Sequence, residues 1–122
     1  MNLMNFERTN IILYCHRWVE TVAFYRNTFD FPINYQTDWF VEFQLSAHSY
    51  LSIADESRAT IHSVEGQGIT LSWQVMNLQE IHTAFEKQNI PVSAVRKKWG
   101  AQLFYLHDPD GHRIELWQPI AN

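Results

Sequence analysis

The side chains able to do acid–base, nucleophilic or metal chemistry are few, and their spacing limits what they can do together. There are six histidines. His107 and His112 flank the run Asp108-Pro109-Asp110-Gly111, His16 follows an apolar run, and His48 precedes another. His62 lies in a polar stretch and His82 in a helical one. Scattered this way, they read as solvated or hydrogen-bonded histidines rather than as one metal site. Cys15 is the one cysteine. Its neighbour His16 is the obvious base, but adjacent strand residues point to opposite faces, so a cysteine nucleophile is not expected. No Ser-His-Asp order, phosphate loop or dinucleotide fingerprint is present. What remains is a carboxylate among aromatics. Glu115 sits between Ile114 and Leu116, with Trp117 following. Burial would raise its pKa and suit it to general acid or base work. It could equally be the counter-charge for a cationic ligand, or pair with Arg113 or Lys97. Trp99-Gly100 follows Arg96-Lys97-Lys98 and offers an indole for stacking on a ligand or for packing as a lid. Trp39 and Phe40 open a strand that could line a facing wall. Five tryptophans and 15% aromatic residues exceed the needs of a plain core and point to a ligand pocket.

The composition bounds the setting of these residues. A chain of 122 residues fits one domain. With 46% hydrophobic and 18% charged residues, intrinsic disorder is excluded. The net charge of −4 argues against a nonspecific nucleic-acid role, which needs a basic face. No apolar run reaches the ~20 residues of a membrane span. The first ten residues carry Glu7 and Arg8 and lack the apolar core of a signal peptide. A lone cysteine suits a reducing compartment. The expected setting is cytoplasmic, with no nucleic-acid or membrane partner.

Periodicity supplies the elements that position the site. Ile11–Cys15 is an apolar strand, and Val19–Phe29 carries Val22, Tyr25, Arg26 and Phe29 at helical spacing. Pro32 closes the helix and an extended stretch follows over Ile33–Asp38. Trp39–Leu45 alternates as a strand, and Tyr50–Ala54 is another. The polar stretch over residues 55–67 reads as a connector. The order then restarts with a strand at Ile69–Val75 and a helix at Leu78–Gln88. Asn77 and Glu80 form a potential capping box for that helix. Val92–Lys98 is extended, Ala101–His107 alternates, Asp108–Gly111 is a turn and Arg113–Gln118 is the last strand. The halves repeat. Ile11, Leu13, Cys15, Trp18 and Tyr25 recur 60 residues later as Leu71, Trp73, Val75, Leu78 and Phe85. Leu51-Ser52-Ile53 recurs 63 residues later as Ile114-Glu115-Leu116, the turn absorbing the difference. The order is a duplicated β-α-β-β-β module.

On these residues the chain resembles the vicinal oxygen chelate superfamily of glyoxalases, bleomycin-resistance proteins, extradiol dioxygenases and fosfomycin-resistance enzymes. The resemblance is carried by Ala23-Phe24-Tyr25-Arg26, Trp99-Gly100 and Asp108-Pro109-Asp110-Gly111-His112-Arg113-Ile114-Glu115-Leu116. It runs from about Thr9 to Pro119 and is closest in style to small single-domain glyoxalase-like proteins. It implies an α+β fold of two βαβββ modules whose curved mixed sheets enclose a cavity. Residues 1–122 would form one such domain, with module one at about 9–54, the connector at 55–67 and module two at about 68–119. It also implies a homodimer. Edge strands left unpaired invite association, and two-fold symmetry is the common outcome.

Metal-using members place His, Glu or Gln ligands on the first and last strand of each module. The resemblance puts Asn10, Ser52, Thr70 and Glu115 at those positions. Strand parity turns Asn10, Ile12 and Tyr14 inward, with Thr70, Ser72 and Gln74 and with Arg113, Glu115 and Trp117. Only Glu115 is a good ligand, and neutral hydroxyls bind zinc, iron or nickel poorly. One carboxylate also leaves too little charge for calcium. The expectation is no metal and no cofactor. The expected ligand-binding residues are Asn10, Tyr14, Ser52, Thr70, Ser72, Gln74, Trp99, Arg113, Glu115 and Trp117, with Glu115 as the catalytic candidate. The fold hosts many chemistries, so the function is weighed on the site. The expected function is metal-free binding of an aromatic or cationic organic molecule, of the bleomycin-resistance type, with antibiotic sequestration as one form. The alternatives are a metal- or Glu115-dependent lyase, isomerase or thiol transferase, and a structural module whose cavity its own side chains fill.

Overall fold

The computed structural model describes residues 3–121. The chain divides into two compact units, one ending at Glu65 and one beginning at Gly66. In the first, β1 (Thr9–Cys15) leads to α1 (Trp18–Asn27), then β2 (Ile33–Gln36), β3 (Phe40–Ser46) and β4 (Ser49–Asp55), with a 3-10 turn at Glu56–Arg58. In the second, β5 (Thr70–Gln74) leads to α2 (Leu78–Lys87), then β6 (Arg96–Lys98), β7 (Ala101–His107) and β8 (Arg113–Pro119). The sheet orders are β1-β4-β3-β2 and β5-β8-β7-β6. In each, the first strand runs parallel to the last while the remaining pairs are antiparallel. The fold is α+β, built from two βαβββ modules.

The duplication extends to strand register. In the first sheet Ile12 lies opposite Ser52. In the second, Ser72 lies opposite Glu115. These are the positions that the 60- and 63-residue repeats make equivalent. A slip of one residue would turn every side chain to the other face, so the shared register fixes which residues each sheet presents.

Each helix packs its apolar side on its own sheet. In the first unit Thr21, Val22 and Tyr25 are the buried residues of α1. Tyr25 lies within a cluster of Phe24, Phe29, Phe31 and Phe43 whose rings pack at edge, tilted or stacked angles. In the second unit Leu78, His82 and Phe85 recur at helical spacing on the buried side of α2. The rings of His82 and Phe85 meet Phe104 edge-on. Leu13 and Cys15 are buried as parity requires, but Ile11 is 43% exposed. Among the described residues no helix is long and apolar enough to cross a membrane.

Four details differ from the sequence expectation. Helix α1 runs Trp18–Asn27 rather than Val19–Phe29. Asp30, at φ 55°, turns the chain before Pro32 is reached. The Asn77–Glu80 capping box does not form, because Asn77 makes no side-chain cap. The Leu78 N–H instead donates to Gln118 Oε1 of β8 at 3.0 Å, a cap supplied by a residue forty positions away. The stretch over Val92–Lys98 is a strand only at Arg96–Lys98. Upstream, Ser93 holds Tyr105 by two bonds, Ser93 N–H to Tyr105 O and Tyr105 N–H to Ser93 Oγ. Last, Glu115 is half-buried rather than enclosed.

Candidate functional site

The predicted residues other than Trp99 lie on strands of the two sheets, and each sheet is built by itself. In the first, Asn10 and Ser52 come together. Ser52, fully buried, donates its hydroxyl to Asn10 Oδ1 at 2.9 Å. Tyr14 lies opposite Ala54 at the far end of β1, half-buried, with Ile12 between it and Asn10.

The same face holds a carboxylate that sequence reasoning missed. Glu42 on β3 lies opposite Ser52 and is only 7% exposed. It accepts from Arg8 Nη2 at 2.5 Å, from Asn34 Nδ2 at 2.7 Å and from Asn10 Nδ2 at 3.4 Å. The Arg8 guanidinium also lies over the Tyr50 ring, 3.9 Å from its centroid. Burial works to raise the Glu42 pKa, but the hydrogen bonds from Asn34 and Arg8 and the charge of Arg8 outweigh it and hold the carboxyl below its ordinary value. The available signal was a single charge inside the apolar run Phe40-Val41-Glu42-Phe43. The partners gave none. Arg8 precedes the first strand. Asn34 reaches Glu42 because the β2–β3 register slips between Ile33 and Tyr35, making Asn34 the extra residue of a bulge.

In the second sheet Thr70, Ser72 and Gln74 of β5 stand opposite Arg113, Glu115 and Trp117 of β8, residue for residue. Ser72 Oγ donates to Glu115 Oε1 at 2.6 Å. Arg113 Nε donates to Thr70 Oγ1 at 2.9 Å, and its guanidinium lies 4.7 Å from the Tyr105 ring centroid. Tyr105 in turn lies opposite Glu115 on β7. Arg113 therefore binds Thr70 and Tyr105 rather than the carboxylate. Trp99 stands apart from this row, at the tip of the β6–β7 hairpin, 97% exposed. Its φ is 48° and that of Gly100 is 74°, the signs of a tight two-residue hairpin turn. Lys98 Nζ lies 5.8 Å from the indole.

The donor chemistry of these positions suits a transition ion poorly. Asn10 and Ser52 are neutral and already bonded to each other. Thr70 carries a guanidinium on its hydroxyl, which repels a cation. Glu115 alone is anionic. Three histidines are bonded away from these positions. His112, just after the Asp-Pro-Asp-Gly turn, is buried against the Asp108 carboxylate, Nδ1 to Oδ2 at 2.9 Å. His82 Nε2 bonds Ser93 O at 2.8 Å, and His16 Nδ1 bonds Glu56 Oε2 at 2.9 Å. His48, His62 and His107 are exposed.

Comparison with known proteins agrees with this architecture. A family model described as glyoxalase-like domain matches residues 8–121. Among solved structures, a lactoylglutathione lyase from Agrobacterium tumefaciens is similar at 25% identity and a TM-score of 0.76, covering 90% of this chain and 91% of that one. A glyoxalase/bleomycin resistance protein/dioxygenase from Nocardioides is similar at 18% identity and 0.76, covering 99% and 88%. A bleomycin resistance determinant encoded on transposon Tn5 is similar at 18% and 0.71, covering 92% and 97%. No curated protein matches the chain.

Proposed function

The chain belongs to the glyoxalase-like domain family of the vicinal oxygen chelate superfamily, and from that premise we propose that it binds a small aromatic or cationic organic molecule without a metal ion. One observation carries the reading. At the positions where metal-using relatives hold ligands, Asn10, Ser52 and Thr70 are neutral and bonded to neighbours in their own sheet, one of them to a guanidinium. What the faces offer instead is recognition chemistry. The first carries Glu42 and Tyr50 joined through the Arg8 guanidinium, and the second carries Glu115 opposite Tyr105, with Trp117 two residues along the same strand. A carboxylate next to an aromatic face suits a flat cation, with cation–π attraction of ~0.5–2 kcal/mol per good contact. The net charge of −4 favours the approach of cations over anions. Sequestration of such a molecule, as in bleomycin resistance, is the form of activity this reading favours, in the cytoplasm and in a homodimer.

A second reading has one observation in its favour. The lactoylglutathione lyase is similar over nearly the whole of both chains, and Glu115 with Ser72 at 2.6 Å could take up a proton on the open face of its sheet. That reading makes the chain a lyase, isomerase or thiol transferase working through Glu115. Tryptophan fluorescence titration in the presence of a chelator separates the two. Binding of planar cations such as proflavine, with no response to glutathione adducts, supports the binding protein. Binding of glutathione adducts but not of cations overturns it and makes Arg113 and Arg96 the dominant charges.

A further inference from the structure

In the first sheet the Arg8 guanidinium bridges the Glu42 carboxylate and the Tyr50 ring. Glu42 is a carboxylate only 7% exposed, and a buried charge of that kind demands a partner. Its scaffold is fixed. Asn34 holds Oε1 from the β2 bulge, Asn10 holds Oε2 from β1, and Ser52 orients Asn10 from β4. Tyr50 supplies an aromatic face under the guanidinium that bonds the carboxylate. The cation itself is not part of that scaffold. Arg8 lies one residue before β1, in a stretch with no strand or helix, and its side chain is 42% exposed. The Thr9 N–H to His48 O bond of 2.9 Å holds the backbone just beyond it, so Arg8 can leave by rotamer change alone. The carboxylate and ring would stay in place.

We propose that Glu42, Asn34 and Tyr50 form a binding site for a planar organic cation, an amidinium or guanidinium, and that Arg8 occupies it until the ligand displaces it. The guanidinium bonded to Glu42 and stacked on Tyr50 displays the contacts such a ligand would make. A planar group suits the site because its N–H edge can bond the carboxylate while its face lies over the ring, as the Arg8 guanidinium does at 3.9 Å. The inference rests on the small-molecule-binding reading above and assigns the site and the ligand class. Arg8 then acts as an internal competitor. If it holds the site about nine-tenths of the time, it weakens apparent affinity about tenfold.

The test is titration of full-length protein with benzamidine, followed by calorimetry and by amide shifts. Arg8→Ala should bind benzamidine about tenfold more tightly than wild type, with shifts centred on Asn34, Glu42 and Tyr50. The double variant Arg8→Ala/Glu42→Gln should lose that gain, and neutral benzamide should bind none of them. Arg8→Gln keeps an N–H donor for Glu42 and replaces Arg8→Ala if the alanine variant does not fold. Benzamidine should then raise the Tm of the variant more than that of wild type. Equal affinity in wild type and the Arg8 variants overturns the proposal, as does a gain that survives Glu42→Gln. Planar cations that bind wild type but shift only the Ser72 and Glu115 region also overturn it, while leaving the broader binding reading in place.

Discussion

Glu42 is a buried carboxylate whose charge is held by Arg8, Asn34 and Asn10. Its place on a strand follows from alternation, but its depth and partners depend on a bulge in β2 and on a residue outside the sheet. Neither leaves a mark in composition or spacing. Glu115 was legible because the repeat and the terminal Ile-Glu-Leu run place it, yet its partner was not, since Arg113 chose Thr70 and Tyr105. The Glu42 carboxyl is held below its ordinary 4.5, so in the folded state it stays ionised at pH values where the unfolded chain takes up a proton. Its contribution to stability is therefore complete above the unfolded value and is lost as pH falls through the folded one. Glu42→Gln should lower unfolding free energy at pH 7 by about 1–3 kcal/mol, with the difference from wild type shrinking in acid. Urea unfolding at pH 7 and at lower pH measures both, and a difference constant with pH would contradict the assignment. The Asp108 carboxylate takes the N–H groups of Asp110 and His112 and the His112 ring, all buried. Asp108→Ala leaves these three donors without their acceptor and should cost about 3 kcal/mol or more, at ~1–3 kcal/mol for each unsatisfied buried group. Denaturant midpoints check this.

Among the elements, two glycine positions separate steric need from conformational need. Gly66 has φ 78°, and a Cβ there would lie 2.3 Å from Gly111 O and 2.7 Å from His112 Cα. Gly68 has φ 84° but open space around it. Gly66→Ala therefore adds backbone collision to left-handed strain, whereas Gly68→Ala meets the strain alone, about 1–2 kcal/mol. Thermal melts should place Gly66→Ala well below Gly68→Ala, and equal Tm values would show that the turn yields. The β6–β7 hairpin supplies a second contrast. Both turn residues have positive φ, a conformation that favours Asn-Gly, and yet Trp stands at position 99 with its indole in solvent. Trp99→Asn should raise stability by up to ~1 kcal/mol. A loss instead would mean that the indole packs on something that stabilises the fold. The cap at Leu78 could not be read locally, because its acceptor is Gln118 on the last strand.

Across the whole molecule, the duplicated β-α-β-β-β order was legible because hydrophobic period and turn residues repeat, and both sheets share the register the repeat implies. Helix ends and caps were less so, since a left-handed Asp30 and a distant glutamine set them. β1 is an edge of its sheet and carries Ile11 and Ile12 at 43% and 39% exposure. An exposed apolar edge strand favours association with a second copy. Sedimentation at micromolar concentration should therefore show a dimer, and a clean monomer would rule that out. Recognition by this chain is proposed to need no metal at the positions Asn10, Ser52, Thr70 and Glu115. Equilibrium dialysis of the chelator-stripped protein against zinc, nickel, iron or manganese, followed by elemental analysis of wild type and Glu115→Gln, tests it most directly. The expected result is no stoichiometric metal in either protein. One ion per chain in the wild type, absent from Glu115→Gln, would overturn metal-free binding and favour a metal-dependent enzyme.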